Sequence, residues 1–185
     1  GQIMKRVSTS IAAALLPVLF NPLGSGRLSI LIYHRVMPGC DPMRPDEPTV
    51  DQFDVQMRLL RRNFTPLPLL EAVDRLARGT LPRRAVCVTF DDGYSDNEQL
   101  ALPVLKRHGI PASVFVSTGF LNGGRMWNDT VIEAVRNHAQ ESLDLTEFGL
   151  ERFSLVSMDA RRDAAQKILA QIKHREPEQR AAIVE

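Results

Sequence analysis

The chain has 185 residues, enough for one substantial core and too few for two comfortable domains. Its 23 basic and 22 acidic side chains leave a formal charge of +1, which excludes the long-range field that recruits nucleic acid or an acidic membrane and suits an uncharged or small substrate. Two cysteines, Cys40 and Cys87, form neither a zinc-type spacing nor a disulfide framework, and Cys87 reads as a small buried hydrophobe. Residues 4–27 are expected to make a packed helix and a turn. Met4-Lys5-Arg6 precedes an apolar run at 11–20 that is too short to span a membrane, and no small-x-small cleavage site follows it.

Residues 28–34 (LSILIYH) form a near-continuous apolar run, expected to be a strand buried on both faces and ending in His34 and Arg35. The loop at 37–48, rich in Pro, Gly and Asp, reads as irregular surface or an arm beside a site. Thr49 and Gln52 then make a capping-box pattern, opening a helix with Phe53, Met57, Leu60 and Phe64 at helical spacing; Thr65-Pro66-Leu67-Pro68 ends it. A short helix is expected at 71–78, with Leu70, Val73, Leu76 and Ala77 inward and Gly79 as its stop.

A second strand is expected at 85–90, followed by a helix at 96–108 that Pro103 kinks and Gly109 closes, and a third buried strand at 112–117. Strand, helix and strand in this order specify an α/β fold with a parallel sheet and right-handed crossovers. Ligands of such sheets lie at the carboxyl ends of the strands, where His34, Asp91, Asp92 and Thr118 fall. Past a turn at 122–125, a helix capped by Asp129 carries Val131, Ile132 and Val135, and a further helix at 159–174 puts Ala164, Ala165, Ile168, Leu169 and Ile172 on one stripe. Pro177 opens a last helix, which ends within two turns without a C-cap glycine and reads as an element cut short.

The stretch VCVTFDDGYSDN at 86–97 concentrates the chemistry. Ser95 and Glu98 have capping-box spacing and supply the following helix with its start, so the adjacent carboxylates Asp91 and Asp92 are left over. Two neighbouring carboxylates repel unless one is protonated, hydrogen-bonded or coordinated, so an unneeded pair at a strand's end indicates a site. The run Thr89-Phe90-Asp91-Asp92-Gly93-Tyr94 resembles the first signature of the polysaccharide deacetylases, the NodB-homology carbohydrate esterases that remove N-acetyl groups from amino sugars. Ile32-Tyr33-His34-Arg35-Val36 before it and the segment 109–116 (GIPASVFV) after it are similar to framework strands of the same family, and the resemblance covers about 28–127.

The resemblance implies a distorted (β/α) barrel of seven strands, of which this chain holds the first three parallel strands with their helices, so that 28–185 is the N-terminal portion of such a domain. It implies that Asp91 is the general base deprotonating a water and Asp92 a ligand of a divalent metal, zinc, with an N-acetylated polysaccharide or oligosaccharide as substrate. His34, Tyr94 and Trp127 are candidates for contact with the sugar. The family's paired metal-ligating histidines, in an H-[ST]-x-x-H spacing, have no counterpart among His34, His108, His138 and His174, and the last three fall near helix C-termini, where a cation complements the dipole. The full metal site therefore needs histidines this chain lacks, and the alternative function is a non-catalytic glycan-binding member of the same fold. A haloacid-dehalogenase-type phosphotransferase needs a second aspartate where Gly93 stands, and an EF-hand loop needs glycine where Asp96 stands. Three parallel strands cannot close a barrel, so the last strand is expected to leave an unpaired edge with apolar surface.

Overall fold

The computed structural model describes residues 26–184, so the helix and turn expected at 4–27 fall, up to residue 25, outside the described residues. The chain forms two compact units, one of residues up to Cys40 with Asp46–Ser117, the other of Asp41–Pro45 with the residues from Thr118 on.

The first unit is built on a parallel sheet. Its strands are β1 (Ser29–Tyr33), β2 (Thr65–Pro66), β3 (Ala85–Phe90) and β4 (Ala112–Val114), with helices α1 (Val50–Asn63), α2 (Leu69–Ala77) and α3 (Leu102–His108) between them. β3 is buried along its whole length, as a strand of Val, Cys and Phe between two covered faces should be. It pairs with β1 in the register Ser29 to Val86 through Tyr33 to Phe90. β2 adjoins its first two residues and β4 its last three. The carbonyls of Val86 and Phe90 accept from Leu67 and Phe115, whereas the Asp91 N–H donates to Tyr33, so β2 and β4 share one edge of β3 and β1 holds the other. The α/β class and parallel order are those expected from the sequence, with β2 as a short additional strand.

Alternation along β3 sends Val86, Val88 and Phe90 into a core with Phe53, Met57 and Leu60 of α1 and Val104 and Leu105 of α3. Ala85 and Cys87 face the other way, against Ala72 of α2 and Leu81. Burial pushes the Cys87 thiol up, consistent with a packing role. The capping box at Thr49 forms in both directions: Gln52 N donates to Thr49 Oγ1, and Thr49 N donates to Gln52 Oε1.

Four local expectations are corrected. β1 is not buried on both faces, since Ile30 and Ile32 are 47% and 62% exposed; only its odd-numbered side chains reach the core. β4 ends at Val114, with Val114, Phe115 and Val116 exposed, so it is not a buried strand. On α2 the inward residue is Ala72, while Leu70, Val73 and Leu76 face out. Leu69 and Ala72 take the contact instead, because the small Ala72 allows close approach to Ala85 and Cys87. Ser95 and Glu98 do not cap the helix after β3: Ser95 already lies within the helical turn, and Asn97 N donates to the Tyr94 carbonyl.

That helix opens as a π turn, Asn97–Ala101, before continuing as α3. Leu102 donates to the Asn97 carbonyl, and Pro103, which has no N–H to donate, follows directly as the second residue of α3. The expected disturbance at Pro103 is thus a widened turn one residue earlier. Gly109, at φ 59°, closes α3 in the left-handed conformation.

The second unit packs α4 (Trp127–Asn137), the antiparallel pair β5 (Ser142–Asp144) and β6 (Arg152–Ser154), α5 (Met158–Ile172) and α6 (Pro177–Val184). Its core joins Val131 and Val135 to Phe153, Leu155, Ala164, Ala165, Ile168 and Ile172, so the stripe expected on the long helix is the buried one. The hairpin carries no strong turn signal and was not expected. Asp129 is the third residue of α4, whose N-cap position is Met126, and its carboxylate pairs with Arg44 at 2.9 Å. Arg44 also reaches Asp41 and Glu133, and Arg136 joins Asp41 at 2.6 Å, closing an ion-pair network that ties 41–45 to α4. No described helix is long and apolar enough to cross a membrane.

Candidate active site

An aromatic cluster sets the floor of the site. Tyr33 and Phe90, the last residues of β1 and β3, lie 5.5 Å apart between ring centroids, and both meet Phe53 of α1 edge-on, at 5.2 and 5.9 Å. Each such pair contributes about 0.5–1.5 kcal/mol beyond the area it buries. The Tyr33 hydroxyl donates to Gln56 Oε1 at 2.9 Å, and burial pushes its phenol up. The exits of the two strands are thereby held on one rigid base.

His34 and Asp91 leave that base together. The Asp91 N–H donates to the Tyr33 carbonyl at 2.9 Å, carrying the ladder one step past the strands. The register pairs Ile30 with Cys87 and Ile32 with Thr89, so by alternation His34 and Asp91 extend the same face on adjacent strands. His34 is exposed and Asp91 half-buried.

Asp92 and Gly93 then turn the chain with two successive left-handed residues, φ 72° and 73°. A left-handed Asp is uncommon, and here the segment that follows β4 holds it. Ser117 Oγ donates to Asp92 Oδ1 and Ser117 N to the Asp92 carbonyl, both at 3.2 Å. A Cβ on Gly93 would stand 3.0 Å from Val116 Cγ1 and 3.3 Å from Val116 Cα, so the turn needs glycine for space as well as for φ.

Three buried or half-buried polar side chains that no spacing in the sequence singled out complete the surroundings. Asp96 Oδ2 accepts from Arg35, at 2.9 Å from Nε and 2.8 Å from its terminal nitrogen, and Asp96 Oδ1 accepts from Val36 N at 3.2 Å. Asn97 Nδ2 donates to the His34 carbonyl at 2.9 Å and to Asp96 Oδ1 at 3.3 Å. Glu47, from the loop at 37–48, accepts from Arg35 N; burial raises its carboxyl above the usual range, against the opposing pull of His34 and Arg35. That loop is brought back by Met37 N to Pro48 O at 2.8 Å and Val50 N to Met37 O at 3.0 Å, which is how a surface arm delivers Glu47 to the end of β1.

Asn97 Oδ1 is buried with no partner. The amide orientation is fixed by its two acceptor neighbours, His34 O and Asp96 Oδ1, so the orphan is the oxygen. Leaving it unpaired costs about 1–3 kcal/mol, against a net gain of about 0.5–1.5 kcal/mol for a typical hydrogen bond.

Of the remaining candidates, Tyr94 lies beneath the Arg35 guanidinium, 4.4 Å from its ring centroid. Trp127 belongs to the second unit, with Arg180 at 4.8 Å over its ring and the second core beside it. Thr118 opens a short 3-10 turn in that unit. His108 ends α3 with Nε2 3.0 Å from Asp54 Oδ1, and this bond, ahead of Arg107, holds Asp54 below the usual carboxylate range. A groove of about 620 Å³ runs along the helix side of the sheet, lined chiefly by Phe90, Leu102, Leu105, Ile110, Val114 and Val116, without Asp91 or His34.

Asp92 is a hard oxygen ligand at a strand exit, suited to a divalent cation, but among the described residues no three His, Cys, Asp or Glu side chains gather as a ligand set. Residues 1–25 contain none of these types. The side chains of the described residues therefore do not fit a metal by themselves.

The family model described as "Polysaccharide deacetylase" matches residues 78–175. A Bacillus subtilis (strain 168) protein named as a polysaccharide deacetylase, YxkH, is 37% identical over 92 residues, 49% of this chain and 32% of its own length. The poly-beta-1,6-N-acetyl-D-glucosamine N-deacetylase of Staphylococcus aureus (strain MSSA476) is 35% identical over 69 residues, 37% of this chain and 24% of its own length. The chain thus spans a third or less of these relatives. Among solved structures, IcaB from Ammonifex degensii is similar with a TM-score of 0.48 at 23% identity, covering 87% of this chain and 80% of that one.

Proposed function

Because this chain belongs to the polysaccharide deacetylase family, we propose that it contributes the acid–base half of a hydrolase that removes N-acetyl groups from an amino-sugar polysaccharide or oligosaccharide. The observation that carries this reading is the shared face of His34 and Asp91 at the exits of two adjacent strands, with Asp92 turned aside beside them. The names of the Staphylococcus aureus relatives support poly-N-acetylglucosamine as the substrate class.

In this reading Asp91 accepts the proton of the water that attacks the acetamide carbonyl. The carbon–nitrogen bond then breaks, the sugar nitrogen takes the proton that Asp91 accepted and becomes the free amine, and acetate leaves. His34, exposed and one strand away, contacts the acetamide or the departing amine, and Tyr94, its ring fixed by Arg35, contacts the sugar. Trp127 is kept as a candidate for stacking on a sugar ring. Asp92 is one ligand of a divalent metal, zinc by family resemblance; when bound, such a metal lowers the pKa of water and polarises the carbonyl. No further ligands gather beside it among the described residues, and no step above depends on the metal.

The test is acetate release from N-acetylglucosamine oligomers by the protein carrying this sequence at its natural length. Asp91→Asn is expected to abolish release while leaving bound metal in place; loss of metal together with activity means the two aspartates' roles are exchanged. The missing ligand set favours one other reading, a non-catalytic glycan-binding member, which predicts oligomer binding without acetate from the unaltered protein.

A further inference from the structure

The exit of β1 is held by side chains rather than by a sheet ladder. His34 O accepts from Asn97, Arg35 N donates to Glu47, and Val36 N donates to Asp96. The Arg35 side chain is pinned between Asp96 and the Tyr94 ring. Two of these anchors, Asp96 and Asn97, come from the turn that follows Asp91 and Asp92. The segment carrying His34 is therefore fastened directly to the segment carrying the carboxylate pair.

The geometry points to Asp96 and Asn97 as positioning residues, which fix the β1 exit so that the His34 imidazole and the Asp91 carboxylate address the same bond. This rests on the proposed deacetylase reading and assigns it two further residues. Three observations support it. Both side chains are buried, at 6% and 7% exposure, yet neither caps the helix they open. The π turn begins at Asn97, and a widened turn of this kind is common where a side chain must be re-aimed at a functional site. Asn97 also keeps its Oδ1 buried and unpaired. An apolar side chain of similar size would remove that penalty, so packing alone does not account for an amide at this position. What the amide supplies, and an apolar group cannot, is the donor to His34 O.

The experiment uses Asn97→Leu, which keeps volume and removes the donor, and Asp96→Asn, which keeps an acceptor for Val36 N and removes the charge facing Arg35. Each natural-length protein is read three ways: thermal midpoint, acetate release from N-acetylglucosamine oligomers, and the rate at which diethylpyrocarbonate modifies His34, with His174 as internal reference. Asn97→Leu is expected to melt within about 3 °C of the unaltered protein, consistent with a small stability change in a chain of this size. Its kcat should fall by about 10–100-fold with KM little changed, as for loss of a group that orients a functional side chain. His34 modification should shift severalfold while His174 does not. Asp96→Asn moves in the same direction by less, and decides the matter if Asn97→Leu does not fold.

Unchanged His34 reactivity, or a loss of activity matched by a loss of folded protein, overturns the proposal. If the unaltered protein releases no acetate, the deacetylase reading fails, and the His34 reactivity alone then decides whether Asp96 and Asn97 position it.

Discussion

At Gly93 the sequence and the structure agree for a reason that is entirely local in space. The left-handed φ strains any other residue, and the 3.0 Å approach of Val116 means that a Cβ fits only if Val116 gives by a few tenths of an ångström. Gly93→Ala is expected to cost about 1–2 kcal/mol, the penalty for a non-glycine residue in this conformation, with more if Val116 cannot yield. A thermal unfolding curve at or above that of the unaltered protein would show that the turn does not need glycine. Asp91, Asp92 and His34 were legible in the sequence because they stand at the ends of apolar strand patterns, and alternation with register then puts two of them on one face. Glu47, Asp96, Asn97 and Ser117 were not legible as site residues. The partners that hold them at the site lie between 12 and 63 positions away along the chain, so no spacing within one element reports them.

At the scale of elements, the informative contrast is between two capping patterns and one amphipathic stripe. Thr49 caps α1 from an extended backbone, φ −73° and ψ 163°, whereas Ser95 has the same S/T-x-x-E/Q spacing but already lies inside the helix that follows the tight turn at Asp92 and Gly93. On α2 the apolar residues share one side, in an arc broader than the rim that meets the sheet, so periodicity identifies an amphipathic helix without saying which part of that arc is covered. The packing is expected to follow the structure. Leu70→Gln, at a side chain 84% exposed, should change stability by no more than about 0.5 kcal/mol, whereas Ala72→Leu should cost about 1–3 kcal/mol by overpacking against Ala85 and Cys87. Urea denaturation measures both; a larger loss at Leu70 than at Ala72 would mean that the other rim of α2 is the packed one.

For the molecule as a whole, the two units differ in how they are secured: the first by a strand buried on both faces, the second by helices and a half-buried ion-pair network. Arg136 beside Asp41 holds its carboxyl well down, from an ordinary 3.8 to about 2. A depressed carboxylate stabilises the folded state fully above its unfolded pKa and loses that contribution as pH falls toward the folded value. The second unit should therefore lose about 2 kcal/mol between pH 5 and pH 2 from this group. Trp127, the single tryptophan, reports on that unit by fluorescence. Asp41→Asn is expected to be less stable at pH 7 and to have a shallower acid dependence; Asp144, also held at about 2, by Arg152, is common to both proteins and does not affect the comparison. An identical acid profile would remove Asp41 from the account. The α/β class, the parallel sense of the strands, the carboxylate pair and the family resemblance were legible along the chain, because they depend on local period and on contiguous motifs. Which faces are covered, that Arg44 and Arg136 knit the 41–45 segment to α4, and that Asp96 and Asn97 bind the two strand exits together emerge only in the folded molecule. Those outcomes depend on which distant groups meet, and burial and hydrogen-bond satisfaction are properties of that meeting rather than of any segment alone.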